Sequence, residues 1–80
     1  MNLTAAATKG PENITVIINA PEGDYTLTYM GDDTLTGLAA AAACQQGVMN
    51  PMTANLSYNI TAASAELHGP HRAVVIIPAN

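Results

Sequence analysis

The chain has 80 residues and a mass of 8.2 kDa, which allows one domain with a single core. Although 49% of it is apolar, fifteen of those residues are Ala, only twenty-three are Leu, Ile, Val, Met or Tyr, and the lone Cys excludes an internal disulfide. A core in this size range seldom supplies more than ~3–5 kcal/mol, so a partner surface or a second copy is the natural source of further stability. Lys9 and Arg72 are the only bases beside six acids, giving a net charge of −4, too few cations to neutralise a run of phosphates, so no nucleic acid is expected as a partner.

Met1-Asn2-Leu3-Thr4-Ala5 has neither the basic nor the apolar region of a secretory signal, and the apolar stretches 39–44 and 73–77 fall far short of a membrane span. No membrane partner is expected, and a free Cys44 suits a reducing cytoplasm. Asn-x-Ser/Thr begins at Asn2, Asn13, Asn55 and Asn59, where about one such triplet is expected by chance. Strands alternating Asn, an apolar residue and Thr spell this triplet without any glycan.

Residues 1–11 form an arm, extended or disordered, ahead of a single domain at 12–80. Thr4-Ala5-Ala6-Ala7-Thr8 has no apolar face and Gly10-Pro11 breaks any helix, so the arm is expected to make no contact within the chain and to order on a neighbour. From Glu12 the period becomes two: Ile14, Val16 and Ile18 share one face and Asn13, Thr15, Ile17 and Asn19 the other, a strand of β-branched residues. Pro21-Glu22-Gly23-Asp24 is expected to turn the chain into a returning strand with Tyr25, Leu27 and Tyr29 inward.

Asp32 or Asp33 is expected to cap a helix over 34–46 that stops at Gly47, a left-handed C′ residue. Leu35, Leu38, Ala39 and Ala42 make its core stripe. Thr36, Gly37, Ala40, Ala41 and Ala43 form an opposite face without Lys, Glu or Arg, where a solvated helix normally carries charge. After a loop at 48–52, Leu56, Tyr58 and Ile60 alternate with Asn55, Ser57, Asn59 and Thr61 and predict a third strand. Residues 62–68 suit a continued strand or one helical turn, the strand being the preferred reading, and a turn at Gly69-Pro70 and a strand at 72–77 follow. That last run, Ala73-Val74-Val75-Ile76-Ile77, does not alternate, so both its faces are expected to be covered. The fold class is α+β: one helix on a four- or five-stranded antiparallel sheet, with an extended N-terminal arm.

No chemistry is legible. His68 and His71 flank a turn and Cys44 lies among alanines without a positive neighbour, a spacing that supports neither a metal site nor a nucleophile. Glu22, Asp24, Asp32 and Asp33 lack the alternation of a calcium loop and serve turns and a helix start. No catalysis, cofactor or metal is expected.

Tyr25-Thr26-Leu27-Thr28 followed by Asp33-Thr34-Leu35-Thr36-Gly37-Leu38-Ala39-Ala40-Ala41-Ala42 resembles a pattern common in small structural proteins of tailed bacteriophages, in which a Thr-rich hairpin feeds an Ala-rich helix. The resemblance covers about a quarter to a third of the chain. It implies a virion component assembled in the host cytoplasm: a decoration (cement) subunit docked on the major capsid protein, or a tail or neck accessory. The other class to weigh is a small cytoplasmic or surface module that binds a peptide or small ligand. On the first reading the chain is a homo-oligomer or docks on another virion protein. Its contacts are expected where the sequence has least reason to meet water, at Gly37, Ala40 and Ala41 on the helix and at Val74, Val75, Ile76 and Ile77 on the last strand.

Overall fold

The computed structural model describes residues 3–21 and 27–80. The elements, in chain order, are β1 (Thr4–Lys9), β2 (Asn13–Asn19), α1 (Asp32–Gln45), a four-residue turn of helix α2 (Ala54–Ser57), β3 (Ser64–Leu67) and β4 (Arg72–Pro78), with 3-10 turns at Leu27–Tyr29 and Ile60–Ala62. All strand pairs are antiparallel, in the order β1-β2-β4-β3. This is the α+β architecture expected, with α1 laid on one face of an open four-stranded sheet.

The centre of the sheet is built from its most β-branched segments. β2 and β4 pair along their whole length, Asn13 opposite Pro78 through Asn19 opposite Arg72. Ile14, Val16 and Ile18 therefore lie beside Ile77, Val75 and Ala73 on the α1 face, and none of the six is more than 1% exposed. Leu35, Ala39, Ala42 and Ala43 of α1 close over them, with Leu27, Met49 and Ala54 at the margins. Alanine is the main helical contribution to this core. A short side chain lets the helix axis approach the sheet, at the cost of little apolar area per residue.

The end of α1 follows from Gly47, whose φ of +74° is the left-handed conformation that spares a Cβ. Gly47 N–H donates to Cys44 O at 3.2 Å and Val48 N–H to Ala43 O at 2.9 Å, the paired bonds of a Schellman C-cap. The start differs from expectation. Gly31 is the N-cap, in extended backbone and with no side-chain bond, while Asp32 and Asp33 lie inside the first turn. There their carboxylates still face the positive end of the helix dipole. Leu38, expected in the stripe, is 38% exposed, and Ala43, expected on the outer face, is fully buried.

Three further expectations are corrected. The arm is extended but does not await a neighbour: Thr4–Lys9 pairs with β2, from Thr4 opposite Asn19 to Lys9 opposite Ile14. Gly10 N–H closes the connection on Asn13 O at 2.8 Å. Leu3, Ala5 and Ala7 pack against the core, because alternate small residues fit beneath α1 where a larger side chain would lift it.

The strand expected over 55–61 does not form; the segment folds as α2 and a 3-10 turn. Its Asn residues favour local bonds over a ladder. Asn59 Oδ1 accepts from Ala62 N–H and Thr61 Oγ1, while Asn80 Nδ2 donates to the α2 carbonyls of Asn55 and Leu56. Only Tyr58 makes a β-bridge, to Ala79. The returning strand expected after the turn at 21–24 is likewise absent at its described end, where Leu27–Tyr29 is a 3-10 turn with Leu27 buried and Tyr29 87% exposed. The expected turn residues 22–24, and Tyr25 and Thr26, lie outside the described residues. Strand 64–67 and the turn at Gly69, φ +86°, are as expected.

Candidate interaction surfaces

β4 carries apolar side chains on both of its faces, and α1 covers one. Val75 and Ile77 are in the core at 0% exposure, so they cannot meet a partner. Val74 is half-buried and Ile76 is 40% exposed, on the face away from α1. Within this chain the expected cover of both faces is thus corrected to cover of one. The strand registers place Ala6, Ile17 and Val74 in one row across β1, β2 and β4, ending on Glu66 of β3. Thr8, Thr15, Ile76 and Ser64 form the adjacent row. Ile17, Val74 and Ile76 take no part in the core. An antiparallel sheet with one solvated face normally alternates apolar and polar residues, so three branched aliphatics at the centre of this face break the pattern.

A second surface follows the outer side of α1. Gly37 and Ala41 are exposed, whereas Ala40 is half-buried and packs against the core. Between this side of the helix and the outer edge of β1 runs a groove of about 340 Å³, lined by Leu3, Ala5, Leu38, Ala41 and Gln45 among others. The expected contact residues are therefore divided between two places: Ala41 in this groove and Gly37 exposed on the same helix, Val74 and Ile76 on the open sheet face.

One polar contact crosses the groove. Gln46, the C-cap of α1, uses both ends of its amide on β1: Oε1 accepts from Ala7 N–H at 2.9 Å and Nε2 donates to Ala5 O at 2.6 Å. A single side chain thus fills the place on the sheet edge that a neighbouring strand's backbone would take. Nothing in the sequence pattern singled out Gln46. The one signal is its position just before the C′ glycine, which fixes it at the helix end nearest the edge.

The ionisable groups are dispersed. Among the described residues no three His, Cys, Asp or Glu side chains come together. His68 Nε2 lies 3.3 Å from Glu66 Oε1 on the surface, and Cys44 is half-buried on α1. Glu22 and Asp24, weighed above with Asp32 and Asp33, lie outside the described residues. No helix among the described residues is long and apolar enough to cross a membrane. Comparison of the chain with protein-family models, with curated proteins and with solved structures finds no match.

Proposed function

We propose that the chain is a non-catalytic structural subunit of a virion, a decoration (cement) protein that docks on the capsid shell through the open face of its sheet. The observation that carries this reading is the row of Ile17 and Val74, with Ile76 beside it, on a face that α1 leaves uncovered. Covering those side chains removes apolar area from water at ~25 cal/mol per Å², and a small core without a disulfide gains most from such cover. Few charges oppose the approach: Arg72 and Glu66 lie on this face at its margins, and Lys9, the other charged residue of the strands, stands opposite Ile14 and so belongs to the α1 side. A broad, weakly charged, Thr- and Asn-rimmed face suits a protein wall better than a small ionic ligand.

Two observations test the reading. Capsid or portal genes beside this one would support it, and co-expression with that capsid protein should carry the chain into gradient-purified particles. The Ile76→Lys variant should stay at the top of the gradient. Equal incorporation of parent and variant would contradict docking by this face. A chain that purifies as a folded, stable monomer and enters no particle would favour the peptide- or ligand-binding module.

A further inference from the structure

β1 is an edge strand of six residues, and natural edges of that length are usually blunted by charge, proline or a bulge. Here Thr4 to Thr8 carry no charge, no proline and no bulky side chain, and Lys9 alone stands at the end. The Gln46 bonds show which backbone groups face outward. Ala7 N–H and Ala5 O point away from β2, so by strand alternation the odd-numbered residues present their N–H and C=O to the outside.

The sequence of this edge is symmetric. Thr4-Ala5-Ala6-Ala7-Thr8 reads the same in both directions about Ala6. In an antiparallel pair of two such edges, Thr4 would face Thr8 of the second copy, Ala5 would face Ala7, and Ala6 would face itself. The outward N–H and C=O groups of Ala5 and Ala7 then form the hydrogen-bonded pairs, and Ala6–Ala6 is the close, non-hydrogen-bonded pair. Thr–Thr is a favourable cross-strand pair. The two Lys9 side chains fall at opposite ends, six residues and thus about 20 Å apart along the strands, so their charges do not clash. The arrangement also continues the open face without a break. The row Val74–Ile17–Ala6 of one copy would run directly into Ala6–Ile17–Val74 of the other. On the opposite side, the groove bounded by Leu3, Leu38 and Ala41 would meet its own counterpart.

We propose that the outer edge of β1 is the pairing site for β1 of a second copy, two-fold symmetric about Ala6, and that the Gln46 amide is a displaceable guard on it. Gln46 holds one N–H and one C=O that the second copy would need. Pairing therefore exchanges its two bonds for a strand ladder, and removing the side chain favours the dimer. A partner strand that lacks this symmetry gains nothing from the palindrome.

The test uses cysteine scanning in a Cys44→Ser background, with mild oxidation and non-reducing electrophoresis. Ala6→Cys should form a disulfide-linked dimer, because facing residues of a non-hydrogen-bonded pair have Cα atoms about 4.5 Å apart. Thr8→Cys should not, because its own copy lies four residues along, about 13 Å away. Adding Gln46→Ala should speed the Ala6→Cys reaction several-fold, and Gln46→Glu, which keeps the length but loses the donor, should act likewise. Circular dichroism verifies that each variant keeps the parent's fold. Equal cross-linking at Ala6 and Thr8, no cross-linking at Ala6, or a rate indifferent to both Gln46 variants would overturn the proposal. Ile76 lies on β4, two strands from this edge, so failure here leaves docking by the open face standing.

Discussion

Ile17 and Val74 stand directly opposite one another across the β2–β4 ladder, on the face of the sheet that α1 does not touch. The residues on either side of each in sequence, Val16 and Ile18, Ala73 and Val75, point the other way and are buried. β4 is therefore apolar on both faces and β2 sets Ile17 among Asn and Thr beside it, yet this chain supplies one helix, on the other face. That asymmetry is the basis of the functional reading and separates two groups of substitutions.

On the open face, Ile76→Lys should abolish docking on the shell while changing the stability of the isolated fold by less than about 1 kcal/mol, since the side chain is 40% exposed and makes no core contact. Incorporation into gradient-purified particles and a urea melt of the isolated chain read the two effects separately.

Beneath α1 the outcome is the reverse. Leu35 is 1% exposed, and Leu35→Ala should cost about 2–5 kcal/mol. For a domain this small that loss leaves the isolated chain largely unfolded, which far-UV circular dichroism at 25 °C would show.

The two helix glycines should respond in opposite directions. A Cβ at Gly37 meets nothing within 4 Å and its φ is not positive, so Gly37→Ala should raise stability by about 0.5–1 kcal/mol. At Gly47, φ +74°, Ala should lower it by about 1–2 kcal/mol. Thermal melts of both variants against the parent check the signs.

Removing residues 1–9 should destabilise the isolated domain, because β1 pairs with β2 along its length and Ala5 and Ala7 help cover the core. A loss of about 2 kcal/mol would lower Tm by roughly 8–16 °C in a domain of this size. An unchanged Tm would instead restore the picture of an arm without contacts inside the chain.

What the sequence disclosed and what it hid follow from side-chain chemistry. The strands at 13–19 and 72–78 were legible because β-branched residues dominate them. The helix end was legible because Gly47 takes the conformation Gly alone adopts at little cost. β1 was hidden because Ala and Thr give a strand of small residues no hydrophobic alternation to detect. The segment 54–62 misled in the opposite way: Leu56, Tyr58 and Ile60 alternate with polar residues, but the Asn59 side chain holds Ala62 N–H and wins the segment for a turn. Leu56 ends up 79% exposed. The candidate surfaces were half legible. Ile17 among Asn and Thr already marked an apolar residue on a polar face, and the unbroken run 73–77 marked a strand apolar on both sides. The division of that run into buried Val75 and Ile77 and outward Val74 and Ile76 depends on which face the helix chooses. The pairing of Gln46 with β1 spans 39 positions in the chain, beyond any local pattern.

Ala41→Glu is the clean probe of the helix side. Ala41 is exposed beside the groove, whereas Ala40 is half-buried against the core. Glu is compatible with a helix, so the fold should survive at position 41 and association through the β1 edge should weaken several-fold. Ala40→Arg should instead unsettle the packing itself, and a urea melt distinguishes the two.

The most direct measurement is the melting temperature and sedimentation coefficient of the isolated full chain across a hundred-fold range of concentration. If its function is to be covered by other protein, the isolated chain should be marginal, and both quantities should rise with concentration as copies cover one another. Ala41→Glu, beside the β1 edge, should flatten both curves. A monomer at every concentration, melting above the ~45–65 °C typical of mesophilic domains and unaffected by Ala41→Glu, would contradict the account.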